Sequence, residues 1–176
     1  MLSAFLTGFF LGLSLILAIG SQNAFVLKQG IIGKHIFYVA LFCSISDGLL
    51  ILLGITGISY FLNSFINEYS NLLFGLSSFW LFGYGVVRLW AAFKGNTMND
   101  ISFSHSKNLK STIAILVILT FANPHVYLDT IILIGSISQK FIEGAKVAFA
   151  TGAILASFVF FFSLSYGAKQ LAPFMK

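Results

Sequence analysis

Five long apolar segments constrain the fold of this sequence more than any other feature. Charged residues and turn formers separate them, and they span approximately residues 4–27, 36–62, 69–93, 111–138 and 145–168. A helix of about 20 residues, rising about 1.5 Å per residue, crosses a hydrocarbon core of about 30 Å. Extended strands would leave backbone groups without hydrogen bonds in lipid. The sequence therefore predicts an all-α, polytopic membrane helix bundle with five transmembrane helices.

The composition excludes a soluble globular protein. Apolar residues make up 58% of the chain and charged residues only 9%, whereas soluble domains are about 45–50% apolar and about 25% charged. The ten basic residues are scattered over connecting segments and do not form the basic patch of a nucleic-acid-binding protein. The first 27 residues carry no charge, unlike a secretory signal peptide. We predict a multi-pass protein of a cell inner or plasma membrane. Its surroundings are the lipid bilayer, and no nucleic acid is expected as a partner.

The basic residues fall mainly on one side of the predicted membrane, which indicates the orientation. Eight lie in the first connection, the third connection or the C-terminal tail: Lys28, Lys34, Arg88, Lys94, Lys107, Lys110, Lys169 and Lys176. Only Lys140 and Lys146 fall on the opposite side. Cytoplasmic connections are enriched in Lys and Arg, so we predict the N-terminus outside and the C-terminus inside.

One extended polar stretch, at about residues 94–110, divides the chain. We interpret it as a linker within a single transmembrane transporter domain, 1–176, between a first half of about 1–93 and a second half of about 111–176. Because the first half has three helices, an odd number, the second half starts on the opposite side of the membrane. The two halves therefore insert in opposite orientations, as in many transporters. The prediction is an inverted repeat of the 3+3 kind, with the sixth helix missing from the second half.

Two acidic residues lie inside predicted transmembrane helices. Asp47 is near the middle of the second segment, and Asp129 lies within the fourth. An Asp at a helix centre costs about 2.5–3.5 kcal/mol on insertion, so such residues usually face a cavity or a partner. Arg88 lies towards the end of the third segment, where its long side chain can reach the interface. The remaining negative charge indicates a binding site for a small cationic solute.

Structural roles for both acids stay open at this point. Asp47 could accept a hydrogen bond from Ser44, from Ser46 or from a neighbouring helix. Asp129 could pair with Arg88 or His125, or it could be protonated, because burial favours the neutral acid.

Polar residues interrupt the first and the fourth segments at corresponding places. The first interruption contains Gln22 and Asn23, and the second begins with Asn123 and Pro124. A proline removes a backbone donor and clashes with the preceding turn, and it disfavours helical angles in the residue before it. Half-helix ends can then bind the charged groups of a solute, so these four residues are candidate substrate ligands. The alternative is a proline kink with ordinary hydrogen bonds between helices.

Histidines add a second candidate role. His125 and His35 could relay protons, because imidazole titrates near physiological pH, although a lone histidine more often has a structural hydrogen bond. His105 shows no metal-ligand spacing with other His, Cys or acidic residues. Neither a metal nor another cofactor is predicted, and no motif of an enzyme is present. A GxxxG pattern at Gly8 and Gly12 weakly indicates close helix packing.

Two stretches of the sequence resemble the LysE family of lysine and arginine exporters. They are GLSLILAIGSQNAFVLKQG at 12–30 and NPHVYLDTIILIGS at 123–136, and with Asp47 the resemblance covers the chain from Gly8 onward. Related exporters of neutral amino acids usually lack an acid at the position of Asp129, so the resemblance implies a basic substrate. The family pattern has a sixth hydrophobic segment that this sequence lacks, which implies a truncated gene product, a last helix that is dispensable, or a last helix supplied by a second subunit.

These observations together predict an exporter of basic amino acids, arginine and/or lysine, driven by proton antiport. One alternative is export of neutral amino acids by the same scaffold. Another is a truncated, non-transporting membrane subunit that inserts and forms homo-oligomers.

Overall fold

The computed structural model describes residues 1–18, 20–58 and 108–175, with scattered positions between 69 and 90. Every regular element in this part of the chain is helical, which confirms the predicted all-helical class. The third predicted segment, apart from those scattered positions, and most of the predicted linker lie outside the described residues. The predicted count of five transmembrane helices and the inverted repeat therefore stay predictions.

Seven α-helices are described, with shorter turns at some of their ends. They are α1 (Leu2–Ile16), α2 (Ser21–Ile32), α3 (Ile36–Leu53), α4 (Leu109–Phe121), α5 (Pro124–Tyr127), α6 (Ile134–Ser138) and α7 (Glu143–Leu171). A π-helical turn, Gly54–Ile58, follows α3, and another, Leu128–Leu133, connects α5 to α6. A 3₁₀ turn, Ala172–Met175, follows α7.

Two of the predicted segments are continuous helices and two are broken. The spans Ile36–Thr56 and Gly144–Leu171 are long and apolar enough to cross a membrane. The first segment instead consists of α1 and α2, which meet at an angle of 82°. The fourth bends by 65° between Leu109–Phe121 and His125–Ser138. The described chain thus has two candidate spans, or four if each bent pair counts as one, as expected for a multi-pass membrane protein.

Among the described helices, α7 contacts α1, α2 and α3. Its contact with α1 depends on glycines in both helices. A side-chain carbon added to Gly8 would meet the backbone of Phe149, and one added to Gly152 would meet the carbonyl of Phe5. The hydrophobic effect does not drive helix association in lipid, because the lipid tails are as apolar as the side chains. Close van der Waals packing therefore stabilises such contacts. The weak GxxxG signal therefore marks a real helix contact.

A second close contact joins the π-helical turn after α3 to the segment that contains Asp129. A carbon added to Gly54 would lie 2.7 Å from the carbonyl oxygen of Ile131, and one added to Gly135 would lie 2.7 Å from that of Gly54. Only glycine allows the backbones to approach so closely. This contact packs the end of α3, the helix of Asp47, against the second broken segment.

Candidate functional site

The break between α1 and α2 is held open by the side chain of Asn23. Its Nδ2 donates to the carbonyl oxygens of Ile16, at 2.7 Å, and of Ala18, at 2.9 Å. These carbonyls lie at the end of α1, where a helix has no following amides to satisfy them. Asn23 therefore stabilises the bend from the α2 side and uses both amide hydrogens to do so.

The break between α4 and α5 is stabilised in a comparable way. Asn123 Oδ1 accepts a hydrogen bond from the backbone nitrogen of His125 at 3.1 Å, which caps the start of α5. Pro124 is the first residue of α5, a position where its missing N–H costs nothing. Tyr127 donates its hydroxyl to the carbonyl of Phe121, the last residue of α4, at 2.7 Å. Each break thus has a side chain that reaches back to the end of the preceding helix.

Both breaks open onto one cavity of about 220 Å³. Its described lining includes six of the seven residues that the sequence singled out as site candidates: Gln22, Asn23, Asp47, Asn123, His125 and Asp129. The seventh, Pro124, begins the helix that contains His125. A water molecule occupies about 30 Å³ in the liquid, so the cavity has room for a small organic solute.

Other lining residues have no signal in the sequence that would have identified them. Thr130, Val126 and Phe161 also border the cavity. Phe161 belongs to α7 and is 1% exposed, so it closes one side of the cavity as a core residue. An apolar position on a long apolar helix resembles any other until the packing of that helix is known.

Asp47 is the more deeply buried acid, with 5% of its surface exposed. Among the described residues no basic side chain forms an ion pair with it, and its carboxyl group lies beside Ser157 of α7. The hydroxyl of Ser44 is directed elsewhere, since it donates to the carbonyl of Ala40 at 2.8 Å. Asp47 thus has a polar neighbour, Ser157, that comes from another helix.

Asp129 differs from Asp47 because it has a nearby partner. Its Oδ2 lies 3.2 Å from Nε2 of His125, four residues earlier in the chain. The acid is 24% exposed and the histidine 43%. Pairing with His125, one of the alternatives left open by the sequence, is the arrangement found; Arg88 lies outside the described residues.

The other two histidines do not join the described cavity. His35 precedes α3 in the left-handed conformation, with a φ of 55°, and is not among the lining residues. His105 lies outside the described residues. In the described ranges no cluster of three His, Cys, Asp or Glu side chains could hold a metal ion.

A helical membrane protein with two broken helices beside a cavity that two acids line has the features of a solute transporter. Residues 13–176 match the LysE type translocator family, and the chain belongs to that family. The resemblance seen in the two broken segments is thereby confirmed.

Several named relatives match almost the whole chain. It is 39% identical over 175 residues to the putative amino-acid transporter YggA of Aeromonas salmonicida, with 99% of this chain and 84% of that protein covered. It is 37% identical over 179 residues to the arginine exporter protein ArgO of Pectobacterium atrosepticum, with 99% and 85% covered. ArgO of Yersinia enterocolitica shows the same identity and coverage. No solved structure matches the chain.

Proposed function

We propose that this chain exports basic amino acids, arginine and/or lysine, across a cell inner membrane in exchange for protons. The observation that carries the proposal is that Asp47, from α3, and Asp129, from the second broken segment, line the same cavity. Two acids and one histidine are the titratable groups of the described lining. Such a site favours a cation over an anion. The relatives named as arginine exporters support the same substrate class.

The broken helices supply the remaining substrate ligands in this proposal. Gln22, Asn23 and Asn123 line the cavity at the two breaks, and Pro124 opens the second break. Half-helix ends in such places bind the charged groups of amino acids in transporters of this kind. The two acids then bind the cationic groups of the substrate.

Proton exchange solves an electrical problem. Exporting a monocation from an inside-negative cell costs about 2.3 kcal/mol per 100 mV, and the entry of one proton cancels that cost. A buried carboxylate can hold either a proton or a cationic side chain, and mutual exclusion couples the two movements. The 3.2 Å contact between His125 and Asp129 supports His125 as the group that relays the proton.

The architecture of the proposed carrier follows from the two bent pairs. The pair α1 and α2 begins the first half, about 1–93, and the pair formed by α4 and the segment from α5 to α6 begins the second, about 111–176. Bends of 82° and 65° at corresponding places support an inverted repeat within one transporter domain with five spans. The distribution of Lys and Arg favours the N-terminus outside and the C-terminus inside, and homo-oligomers are compatible with this arrangement.

The test is transport by the purified chain in proteoliposomes. Vesicles loaded with unlabelled arginine should take up labelled arginine by exchange, and an imposed pH gradient should accelerate net transport. Asp47→Asn and Asp129→Asn should each reduce uptake at least tenfold. Glu143→Gln is the matched control, because it removes the same charge at the start of α7, about 27 Å along the helix from Phe161 at about 1.5 Å per residue. Absence of arginine exchange by the unsubstituted chain would refute the proposal, and indifference to the pH gradient would remove the antiport.

One observation favours a second candidate, export of neutral amino acids. A protonated His125 would neutralise Asp129 at 3.2 Å and leave Asp47 as the single free acid of the described lining. That charge matches the α-ammonium group of a neutral amino acid. A competition experiment distinguishes export of basic amino acids from export of neutral ones. Excess lysine should block labelled arginine uptake, whereas excess leucine should block it only if neutral amino acids are also substrates.

A further inference from the structure

The start of α2 has the features of an anion-binding site inside the cavity. The first three backbone nitrogens of α2 belong to Ser21, Gln22 and Asn23, and no described carbonyl accepts a hydrogen bond from them. The first such bond of this helix runs from Ala24 to Gly20. Gly20 occupies the N-cap position and has no side chain to cap these amides. The amides at a helix start, together with the helix dipole, attract negative charge.

An independent feature of the same place points to a missing ligand. The side chain of Gln22 is 7% exposed and lines the cavity, yet its Nε2 has no hydrogen-bond partner among the described residues. The thiol of Cys43 lies beside this amide, but sulfur is only a weak acceptor. Ser21, also 7% exposed, has an unpartnered hydroxyl. Leaving a buried polar group without a partner costs about 1–3 kcal/mol, so a bound acceptor would remove this cost.

The charges of the cavity leave few other places for an anion. Its described lining contains two acids and neither Lys nor Arg. The one histidine, His125, is paired with Asp129. The start of α5 is already capped by its own residue, Asn123. A zwitterionic substrate must nevertheless place its carboxylate somewhere in the cavity.

We propose that the start of α2, with the side-chain amide of Gln22, binds the α-carboxylate of the substrate. The cationic groups of the substrate then face Asp47 and Asp129 across the cavity. This inference rests on the proposed function and specifies how the substrate is oriented. It makes the carboxylate a requirement for binding, so amines with the same cationic end but no carboxylate bind more weakly.

The space around Gly20 allows a direct test. A carbon added to Gly20 would meet nothing within 4 Å, and the backbone there is extended, with a φ of −94° and a ψ of −179°. Aspartate and serine adopt this conformation readily at an N-cap and bond the second or third amide of the helix. Gly20→Asp should therefore supply an internal carboxylate at the proposed site. Gly20→Ala, which adds a carbon without an acceptor, is the matched control.

The experiment measures competition for labelled arginine uptake in proteoliposomes. In the unsubstituted chain, agmatine, which is arginine without its carboxylate, should compete at least about tenfold more weakly than arginine, the effect expected for a hydrogen bond to a charged group. In Gly20→Asp the half-inhibitory concentration of arginine should rise about tenfold, while that of agmatine should stay equal or fall. In Gly20→Ala the ratio between the two half-inhibitory concentrations should stay close to that of the unsubstituted chain, because the added carbon supplies no acceptor.

Folding and function are separated by further readouts. Gly20→Asp should melt at the same temperature as the unsubstituted protein or higher, because a cap stabilises α2; if it does not fold, Gly20→Ser supplies an uncharged cap. Equal competition by agmatine and arginine in the unsubstituted chain would overturn the inference while leaving arginine transport intact. Unchanged arginine competition in a folded, capped variant would also overturn it. If the unsubstituted chain takes up no labelled arginine at all, the proposed function itself is refuted.

Discussion

The Nε2 of His125 lies 3.2 Å from the Oδ2 of Asp129, so the two acids of the cavity have different surroundings. Asp129 has a titratable partner four residues away, whereas Asp47 has no described basic partner and lies against α7. The cavity therefore has a paired, partly exposed acid and a deeply buried one.

Removing the partner of Asp129 should uncouple arginine transport from the proton gradient. His125 lies 3.2 Å from Asp129 and is the proposed proton relay, so His125→Gln should lose most of the acceleration caused by an imposed pH gradient. Arginine exchange without a gradient needs no net proton movement and should be largely kept, because Asp47 and Asp129 are both retained. The measurement is labelled arginine uptake with and without the gradient, and equal acceleration in both proteins would count against the relay.

Replacing Asp47 should stabilise the protein while inactivating it. A buried carboxylate without a basic partner is costly in a membrane helix, and Asn has a similar shape without the charge. We expect Asp47→Asn to raise the stability of the detergent-solubilised protein by about 1 kcal/mol, within the range of common stabilising substitutions, at the expense of function. Arginine uptake should fall at least tenfold. Thermal unfolding checks the first part, and a lower melting temperature would mean that the acid has a structural role.

The contact of Gly54 with the second broken segment should tolerate no side chain. The added carbon of Gly54→Ala would lie 2.7 Å from the oxygen and 2.8 Å from the Cα of Ile131, so the backbone next to Asp129 must move. We expect a loss of about 1–3 kcal/mol of stability, as for an overpacked core, and reduced transport. Gly167→Ala in α7 is the control, because nothing lies within 4 Å of the added carbon and Ala favours a helix by about 1 kcal/mol over Gly. Equal melting temperatures for the two variants would contradict the contact.

The orientation can be tested with single cysteines. Cys43 is the one cysteine of the sequence and is fully buried, so Cys43→Ser provides a background without reactive thiols. In that background, Lys34→Cys should react with a membrane-impermeant thiol reagent only after the cells are opened, and Lys140→Cys should react in intact cells. The reverse labelling would place the N-terminus inside.

The sequence predicted where the helices break, but not how the breaks are built. The polar residues from Gly20 to Asn23 correctly indicated an interruption, because such groups are costly inside a lipid-facing helix. That Asn23 would donate to the carbonyls of Ile16 and Ala18 could not be predicted, because these bonds depend on the bend of 82° between α1 and α2. The same holds for the bond from Tyr127 to Phe121.

The site was predictable to the extent that its residues are polar. Asp47 and Asp129 stand out from their apolar surroundings, and both line the cavity. Phe161 does not stand out, since its place in the lining follows from the packing of α7. The two π-helical turns had no sequence signal either: the contact between Gly54 and Ile131 depends on the crossing of two segments that are distant in the chain.

Because Gly20 leaves the start of α2 without a cap, binding of the substrate should increase the stability of the protein. The first amides of α2 have no side-chain cap at Gly20, so a bound acceptor has to satisfy them. In the proposed orientation, that acceptor is the carboxylate of the substrate. An empty carrier is then the looser form, and the free energy of unfolding rises with the logarithm of solute concentration above the dissociation constant. In a cell with abundant arginine the protein would mostly be in the more stable, substrate-bound form. Without arginine it would unfold more often and be degraded faster by proteases.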